Sequence, residues 1–454
     1  MRASLEQDGA RNLEAVELGL REAMAKDARR LIEALYCDPT LSIPDNRALP
    51  GEKHHRQRPK EVETIFGPIT LRRDYFYREK DKPEKKSHGR APLDEALGLI
   101  NGYSPALVRL ASRMAARIGF DQGSQDLAEV ANIRLEGRQI QRLANEIAPH
   151  IARERSRLQG VDEKNEKIPI LYIAIDGTGV PMMPEELAGR CGKQPDGTSK
   201  TREVKLAAIF TQSRCDEEGK PVRDYQSTTY LASFRTAEEF GALVRAEAIR
   251  RGMGRAAKVV VLGDGAAWIR ELTRVNFGFA VQILDLYHAL ERVHKLCDGL
   301  YGPKTPEATL HKRQWKEKLL LDKVGEMIEE ARARLDSLGP RPDDELEKQI
   351  AFFENHRDRM LYLTYRNQGF FYGSGVVEAG CKTVVGQRCK NSGMFWSESG
   401  AQSILDLRCA LLSGQWDLCW NALHRPDYLQ TQDAASSKGY FLVTHPFGII
   451  RGSI

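Results

Sequence analysis

The segment Ile168-Pro-Ile-Leu-Tyr-Ile-Ala-Ile-Asp176-Gly-Thr-Gly179 is a near-continuous apolar run that ends at an aspartate followed by glycine. Such a run is typical of a β-strand that is buried on both faces of a sheet. A second apolar run, at residues 258–262, ends in the same way at Gly263-Asp264-Gly265. The two runs predict a central sheet in which both aspartates stand at the carboxyl ends of strands. The glycines beside them leave room for a backbone or a ligand to approach.

The surrounding patterns predict the rest of an α/β core. Further strands are expected at residues 204–210, 225–231 and 280–284, with helices at 236–251, at 266–275 and from Leu286 onward. The resulting order is strand, strand, strand, helix, strand, helix, strand, helix. This is the order of a ribonuclease-H-like core, and it places the strands of Asp176 and Asp264 side by side. The predicted fold class is therefore α/β with a ribonuclease-H-like catalytic core.

Outside this core, the patterns predict helices and one β-hairpin. Residues 303–368 are rich in Lys, Glu, Arg and Leu, which indicates an all-helical insertion into the core. Two β-like runs, at 62–66 and 69–77, flank Gly67-Pro68 and predict a hairpin. Residues 124–148 resemble a helix-turn-helix in which Ser124 caps the first helix. The predicted divisions are an N-terminal helix and linker (1–50), a basic hairpin module (51–91), a helical DNA-binding module (92–165), the core (166–300 and 371–454, the latter with a C-terminal tail) and the helical insertion (301–370).

The composition indicates a cytosolic protein of several domains. The chain has 454 residues, of which 41% are hydrophobic and 29% charged. No apolar run approaches the roughly 18–20 residues of a membrane span, and the first residues lack an apolar signal core, so no membrane partner is expected. The eight cysteines contain no CxxC pair, which argues against a zinc ribbon or a disulfide framework.

Positive charge is concentrated before the core. Residues 53–90 hold twelve Lys/Arg against six Asp/Glu, so this segment alone exceeds the net charge of +5 of the whole chain. A basic segment of this kind fits contact with nucleic-acid phosphates. The alternative interpretation is a solvated charged loop.

Asp176, Asp264 and Glu378 form the candidate catalytic and metal-binding set. Glu378 stands early in a helix predicted at 374–385, which could pack across the edge where the two strands end. Three carboxylates that meet there repel one another unless hard divalent cations neutralise them. Two Mg²⁺ ions, or Mn²⁺, about 3.5–4 Å apart can activate a nucleophile and stabilise a leaving oxygen in phosphodiester chemistry. Alternatively, each aspartate is a turn residue or a helix cap.

The motifs around these acids resemble those of DDE transposases. The similar segments are Ile173-Ala-Ile-Asp176-Gly-Thr-Gly-Val-Pro181, Val261-Leu-Gly-Asp264-Gly-Ala-Ala-Trp268 and Ser374-Gly-Val-Val-Glu378-Ala-Gly-Cys-Lys382. The likeness is to bacterial insertion-sequence transposases of the ISKra type, near the Mutator-like branch. It implies a DDE-type DNA transposase, a polynucleotidyl transferase that hydrolyses phosphodiesters at transposon ends and joins the freed 3′-hydroxyl to target DNA. It also implies that Asp176 and Asp264 hold both metal ions and that Glu378 completes the site.

The resemblance implies further site residues and partners. Mutator-like transposases carry an acid-or-cysteine, two residues and a histidine at the end of the fifth strand, which corresponds here to Asp285 and His288. These two would line the active site or bind DNA beside it; the alternative is a buried structural pair. The partners would be double-stranded DNA, as terminal inverted repeats and target, and further copies of the chain in a homodimer or larger oligomer. The location would be the bacterial cytoplasm, with association to the nucleoid when DNA is bound.

Basic and aromatic side chains supply candidate DNA contacts. Lys382 follows Glu378 by one helical turn and could reach a phosphate, while Trp396 could stack on an unpaired base or, alternatively, pack in the interior. The full candidate set is Lys382, Arg388, Lys390, Trp396, Arg72, Arg73, Arg138 and Arg142. Two other functions stay open: a domesticated, non-catalytic DNA-binding protein, and a stand-alone ribonuclease-H-like nuclease.

Overall fold

The described part of the chain is a mixed α/β structure. A computed structural model describes residues 13–38, 41, 43, 46–78, 89–158, 167–192, 194, 197–339 and 344–423. A five-stranded mixed sheet lies at its centre and helices surround it, so the predicted α/β class is confirmed. Parts of the predicted N-terminal helix and basic segment, and residues 424–454 of the predicted C-terminal tail, lie outside the described residues.

The elements have the following bounds. The strands are β1 (Lys53–Thr64), β2 (Gly67–Tyr77), β3 (Ile168–Pro181), β4 (Thr201–Gln212), β5 (Arg214–Cys215), β6 (Pro221–Val222), β7 (Thr229–Ser233), β8 (Ala256–Gly263) and β9 (Val281–Leu284). The helices are α1 (Leu13–Tyr36), α2 (Pro92–Ala96), α3 (Pro105–Arg117), α4 (Phe120–Ala131), α5 (Gly137–Arg157), α6 (Ala237–Arg250), α7 (Ala267–Phe277), α8 (Leu286–Tyr301), α9 (Pro306–Leu320), α10 (Val324–Ser337), α11 (Glu345–His356), α12 (Tyr362–Asn367), α13 (Gly375–Gly380), α14 (Gln387–Cys389), α15 (Glu398–Leu412) and α16 (Trp416–Leu423). A π-helical turn, Cys381–Gly386, joins α13 to α14.

The central sheet has the strand order β7-β4-β3-β8-β9. β4 is antiparallel to both β3 and β7, whereas β3, β8 and β9 run parallel to one another. The strands that carry or precede Asp176 and Asp264 are therefore direct neighbours, as the predicted order requires. Their parallel direction brings their carboxyl ends to the same edge of the sheet.

β3 is buried on both faces because its side chains alternate between two cores. Leu171, Ile173 and Ile175 pack with residues of α6 and α7 on one face. Tyr172 and Ala174 pack on the other face, in a core that includes residues of α5 and α15. Full burial of an aliphatic side chain of this size contributes roughly 1.5–3 kcal/mol. The apolar run therefore determines both the strand and its central place in the sheet.

β3 is longer than the sequence predicts. The expected end of the strand is Asp176, but the strand continues to Pro181 because β4 pairs with it as far as the Pro181–Thr201 pair. Pairing with β8 ends earlier, at Ala174 and Leu262. Asp176 therefore lies inside a strand, at the point where one neighbour has ended and left that side open.

The N-terminal elements also differ in their bounds from the prediction. The hairpin is present, but β1 begins at Lys53, inside the segment predicted only as basic. α4 begins at Phe120, so Ser124 lies inside that helix rather than at its cap. The Ser124 hydroxyl instead donates a hydrogen bond of 2.5 Å to the carbonyl of Leu135, which ties the α4–α5 connection to α4.

The helices α9 to α12 occupy most of the region predicted as an insertion. They pack against the carboxyl edge of the sheet. Trp315 of α9 is fully buried, and its indole N–H donates to Glu330 at 2.9 Å. The Tyr362 hydroxyl donates to the carbonyl of Leu284, the last residue of β9, at 3.0 Å. These helices therefore support the strand end that precedes Asp285.

Asp406 of α15 supplies a prediction about stability and pH. Burial raises the pKa of its carboxyl to about 6, against weaker opposing effects of Gln402, Arg155 and Arg235. A folded pKa above the unfolded value near 4 means that the stabilisation is complete below about pH 4 and is lost as the pH rises through 6. We expect the stability of Asp406→Asn relative to the wild type to rise by about 2–3 kcal/mol between pH 4 and 7.5, measured by urea unfolding. A difference that does not change with pH would contradict this.

Candidate active site

Three aspartates lie level with one another at the carboxyl edge of the sheet. Ala174 of β3 is opposite Leu262 of β8, and Leu262 is opposite Ile283 of β9. Two residues beyond these positions come Asp176, Asp264 and Asp285. Because neighbouring strands are about 4.8 Å apart, this register alone brings the three residues to one edge.

Asp176 is half-buried and held by two hydrogen bonds. Its Oδ1 accepts from the Gly177 N–H at 2.7 Å, and its Oδ2 accepts from the Cys381 thiol at 3.3 Å. Burial raises the pKa of this carboxyl, and the negative charge of Asp264 raises it further, although both hydrogen bonds and His288 act in the opposite direction. Ionised Asp176 is therefore destabilised here, which is the condition that a bound cation would relieve.

Asp264 follows β8 and turns the chain into α7. Its Oδ1 accepts from the Ala266 N–H at 2.8 Å, two residues further on, in the manner of an Asx turn. The turn interpretation of this aspartate is thus correct as far as one oxygen is concerned. The hydrogen bond also orients the carboxylate beside Asp176, so the structural and the functional interpretations are compatible.

Asp285 is fully buried and connects α8 to the segment that carries Glu378. Its Oδ1 caps α8 by accepting from the His288 N–H at 2.8 Å, and its Oδ2 accepts from the Ser374 N–H. The Ser374 hydroxyl donates to Glu378 Oε1 at 2.6 Å. One serine thus links the two carboxylates, and its position fixes the start of α13 against the start of α8.

These contacts group Glu378 with Asp285 and His288. Each of the three offers one ligand atom, and these atoms lie within 4.8 Å of one another. In the part of the chain that the structure describes, Asp176, Asp264 and Glu378 do not form a group that tight. Burial raises the pKa of the Cys381 thiol, and the charges of Asp176 and Glu378 both raise it further, so the two carboxylates approach the same thiol.

In the described part of the chain, the four carboxylates are not paired with any lysine or arginine. None of the ion pairs found among the described residues involves Asp176, Asp264, Asp285 or Glu378. Clustered carboxylates in proteins are normally paired or bound to metal, because their repulsion is costly at low dielectric. The arrangement therefore has the chemistry of a cation site.

Two of the four candidate DNA contacts near Glu378 stay at the surface. Lys382 is exposed, and exposed Lys390 donates from Nζ to Thr178 Oγ1 at 2.5 Å, on the continuation of β3 beyond Asp176. The prediction was wrong for Arg388, which is fully buried, donates to the Ala115 carbonyl at 2.7 Å and stacks on the rings of Phe120 and Trp396.

Trp396 is likewise an interior residue. It is 5% exposed, and its indole N–H donates to the Cys389 carbonyl at 3.1 Å. Its ring packs edge-on against Phe120 of α4. The stacking role on DNA is therefore corrected to the packing role that was its alternative.

The candidate arginines of the N-terminal modules are also partly exposed and partly buried. Arg72, Arg138 and Arg142 are exposed and remain predicted DNA contacts. Arg73 is a wrong prediction, because its side chain is 7% exposed and forms an ion pair of 2.5 Å with Asp94. Alternation along β2 explains the difference, since neighbouring residues of a strand point to opposite faces.

The glycines of the site serve packing within the chain rather than ligand approach. A Cβ added to Gly177 would lie 2.6 Å from Glu203 Oε1, so this chain already fills the space that the sequence assigned to a ligand. A Cβ added to Gly380 would lie 2.9 Å from Leu206 of β4. The absence of that atom lets α13 rest on the sheet and bring Glu378 to the edge.

Two residues of the site were not predicted as functional. Ser374 stands four residues before Glu378, and Cys381 stands three residues after it. Helical spacing places both near the face of Glu378, which is a signal that was available in the sequence. The sequence could not predict that Ser374 contacts Asp285 or that Cys381 contacts Asp176, because those contacts join distant segments.

The fold and this edge define an α/β protein with a carboxylate-rich candidate metal centre. The model of the Uncharacterised protein family UPF0236 matches residues 7–417, and the chain belongs to this family. A relative, the UPF0236 protein in vanSb 3′region of Streptococcus gallolyticus, is 24% identical over 379 residues, which cover 81% of this chain and 76% of that protein. Among solved structures, the Drosophila P element transposase strand transfer complex aligns with 70% of this chain and 80% of that chain, at 9% identity and a TM-score of 0.26.

Within the described residues, the helices are too short or too polar for any of them to cross a membrane.

Proposed function

We propose that this protein is a DDE-type DNA transposase of an insertion sequence, with a ribonuclease-H-like core and the acids Asp176, Asp264 and Glu378. The observation that carries the proposal is the convergence of unpaired carboxylates at one edge of the sheet. The strand order and directions support the ribonuclease-H-like interpretation. The motif resemblance supports the transposase class and, within it, the ISKra type.

The residues present fit a divalent metal centre. Their donor atoms are mainly carboxylate oxygens, which Mg²⁺ and Mn²⁺ prefer. The repulsion between Asp176 and Asp264 would be relieved by cations. Bound Mg²⁺ would supply Lewis-acid activation of the attacking and leaving oxygens of a phosphodiester.

The chain itself contributes position and charge to this chemistry. Gly177 and Cys381 orient the Asp176 carboxylate, and Ser374 orients Glu378. Lys390 follows α14 and donates to Thr178, which lies beyond Asp176 on β3, and from there its charge can attract a DNA phosphate. No covalent bond between protein and DNA is required, because the acids act through bound cations.

The partners and alternatives predicted from sequence remain within this proposal. Exposed Arg72, Arg138, Arg142 and Lys382 are proposed to contact double-stranded DNA, and joining two transposon ends suits a homodimer or a larger oligomer. The presence of all three acids favours catalysis over a domesticated DNA-binding protein. The hairpin and helical N-terminal module favours transposition over a stand-alone nuclease.

Cleavage of DNA that carries the element's own ends tests the proposal. We expect strand cleavage that leaves a 3′-hydroxyl with Mg²⁺ or Mn²⁺, and none with EDTA, on gels of end-labelled duplexes. A duplex with scrambled ends is the matched control. Equal cleavage of both duplexes would indicate the nuclease, and tight binding without cleavage in either metal would indicate the non-catalytic protein.

A further inference from the structure

We propose that Asp285, His288 and Glu378 bind a divalent first-row transition-metal ion through one imidazole nitrogen and two carboxylates. This inference rests on the proposed function, because the site shares Glu378 with the candidate catalytic set. It assigns His288 a role as a metal ligand, beyond lining the active site. It also predicts which metals the edge of the sheet prefers.

The first turn of α8 prepares two of the ligands. Asp285 stands at the N-cap and His288 three residues later, a spacing that places both side chains on the same face of a helix. The Asp285 carboxylate is restrained from both sides, by the N–H groups of His288 and Ser374. Each carboxylate oxygen retains a second lone pair, so these bonds leave capacity for a cation.

The start of α13 supplies the third ligand. Glu378 accepts from the Ser374 hydroxyl through Oε1, and the same serine donates its N–H to Asp285. The ligand atoms lie within 4.8 Å of one another. Neighbouring ligands of one ion are separated by roughly 3.0–3.4 Å, since each bond is about 2.1 Å long and the angles between bonds are octahedral or tetrahedral. A side-chain movement of about 1 Å for each donor atom therefore closes the site.

The donor set indicates the class of metal. The two carboxylates suit Mn²⁺ as well as Mg²⁺, and the imidazole nitrogen suits first-row ions such as Fe²⁺ and Zn²⁺, whereas Mg²⁺ prefers oxygen ligands alone and retains several waters. Asp176 and Glu291 are also close enough to His288 to interact with its charge, and Glu291 Oε2 is 3.9 Å from Nδ1. These carboxylates favour a cationic ligand set around the imidazole.

Pulsed electron paramagnetic resonance of Mn²⁺ bound to the full chain tests this inference. We expect coupling of the metal to an imidazole ¹⁴N in the wild type. His288→Gln should abolish that coupling and weaken Mn²⁺ binding by about 10-fold or more. His294→Gln is the matched control, because His294 is exposed on the same helix. Circular dichroism checks that both variants are folded.

The outcomes separate this inference from the proposed function. Mn²⁺ binding without ¹⁴N coupling, together with DNA cleavage, would overturn the role of His288 and leave the transposase proposal standing. Coupling that His288→Gln removes, without cleavage of any DNA, would support the metal site and contradict the transposase. Coupling that survives in His288→Gln would overturn the assignment of the ligand.

Discussion

Asp176→Asn is expected to lower Mg²⁺-dependent DNA cleavage by about three orders of magnitude while leaving DNA binding nearly unchanged. The substitution keeps the shape of the side chain but removes the charge that a cation requires, and metal-ion catalysis contributes several kcal/mol to a reaction of this kind. Single-turnover cleavage and filter binding on the same duplex measure the two effects.

The stability of the same variant distinguishes lost chemistry from lost folding. Because folding raises the pKa of Asp176, its ionised form lowers the stability of the folded protein at neutral pH. Asp176→Asn should therefore unfold at an equal or higher urea concentration than the wild type. Full cleavage by this variant would remove Asp176 from the catalytic role.

Asp224→Asn is the matched control for Asp176→Asn. Asp224 is also half-buried, and it accepts from the Thr211 hydroxyl at 2.6 Å. Thr211 pairs with Leu171, whereas Leu206 pairs with Asp176, so Asp224 lies toward the other end of the sheet. Its substitution is expected to leave cleavage unchanged.

Arg408→Met is expected to lower the free energy of unfolding by about 3–5 kcal/mol. Arg408 is 4% exposed and donates to the carbonyls of Val384, Thr383 and Ala116, at 2.6 Å in the case of Val384. Ala116 lies in the last turn of α3, where carbonyls have no partner within the helix. Methionine fills much of the volume but removes the Arg408 donor from all three carbonyls. Urea unfolding measures the loss.

Arg274→Met is the control for Arg408→Met. Arg274 is exposed on α7 and pairs with Glu271 at 2.6 Å on the same helix. Exposed pairs of this kind contribute little, so urea unfolding is expected to show almost no loss of stability. Equal losses in the two variants would show that the carbonyl contacts of Arg408 do not brace the π-helical turn.

Much of the fold could be predicted from the sequence, because it depends on patterns among neighbouring residues. The apolar run before Asp176 predicted a strand buried on both faces, and the pattern of strands and helices predicted that it would lie beside the strand of Asp264. The exact end of β3 was not readable. It depends on how far β4 continues to pair, and that partner lies in another part of the chain.

The candidate site was also predicted only in part from the sequence. The sequence identified Asp176, Asp264, Asp285, His288 and Glu378, because each follows an apolar run or begins a helix at a recognisable motif. It did not show that Glu378 groups most tightly with Asp285 and His288. That arrangement depends on Ser374, which contacts Asp285 across a separation of 89 residues.

The sequence by itself determined the α/β class, the central strands and the acids that follow their apolar runs, because periodicity and the order of elements are properties of neighbouring residues. Only the tertiary structure decided which charged and aromatic side chains face solvent. Arg388 and Trp396 lie in a basic, glycine-containing segment that reads as surface, yet both are buried. Arg388 meets Ala115 across 273 residues. Burial of this kind depends on packing between distant segments, which no local pattern encodes.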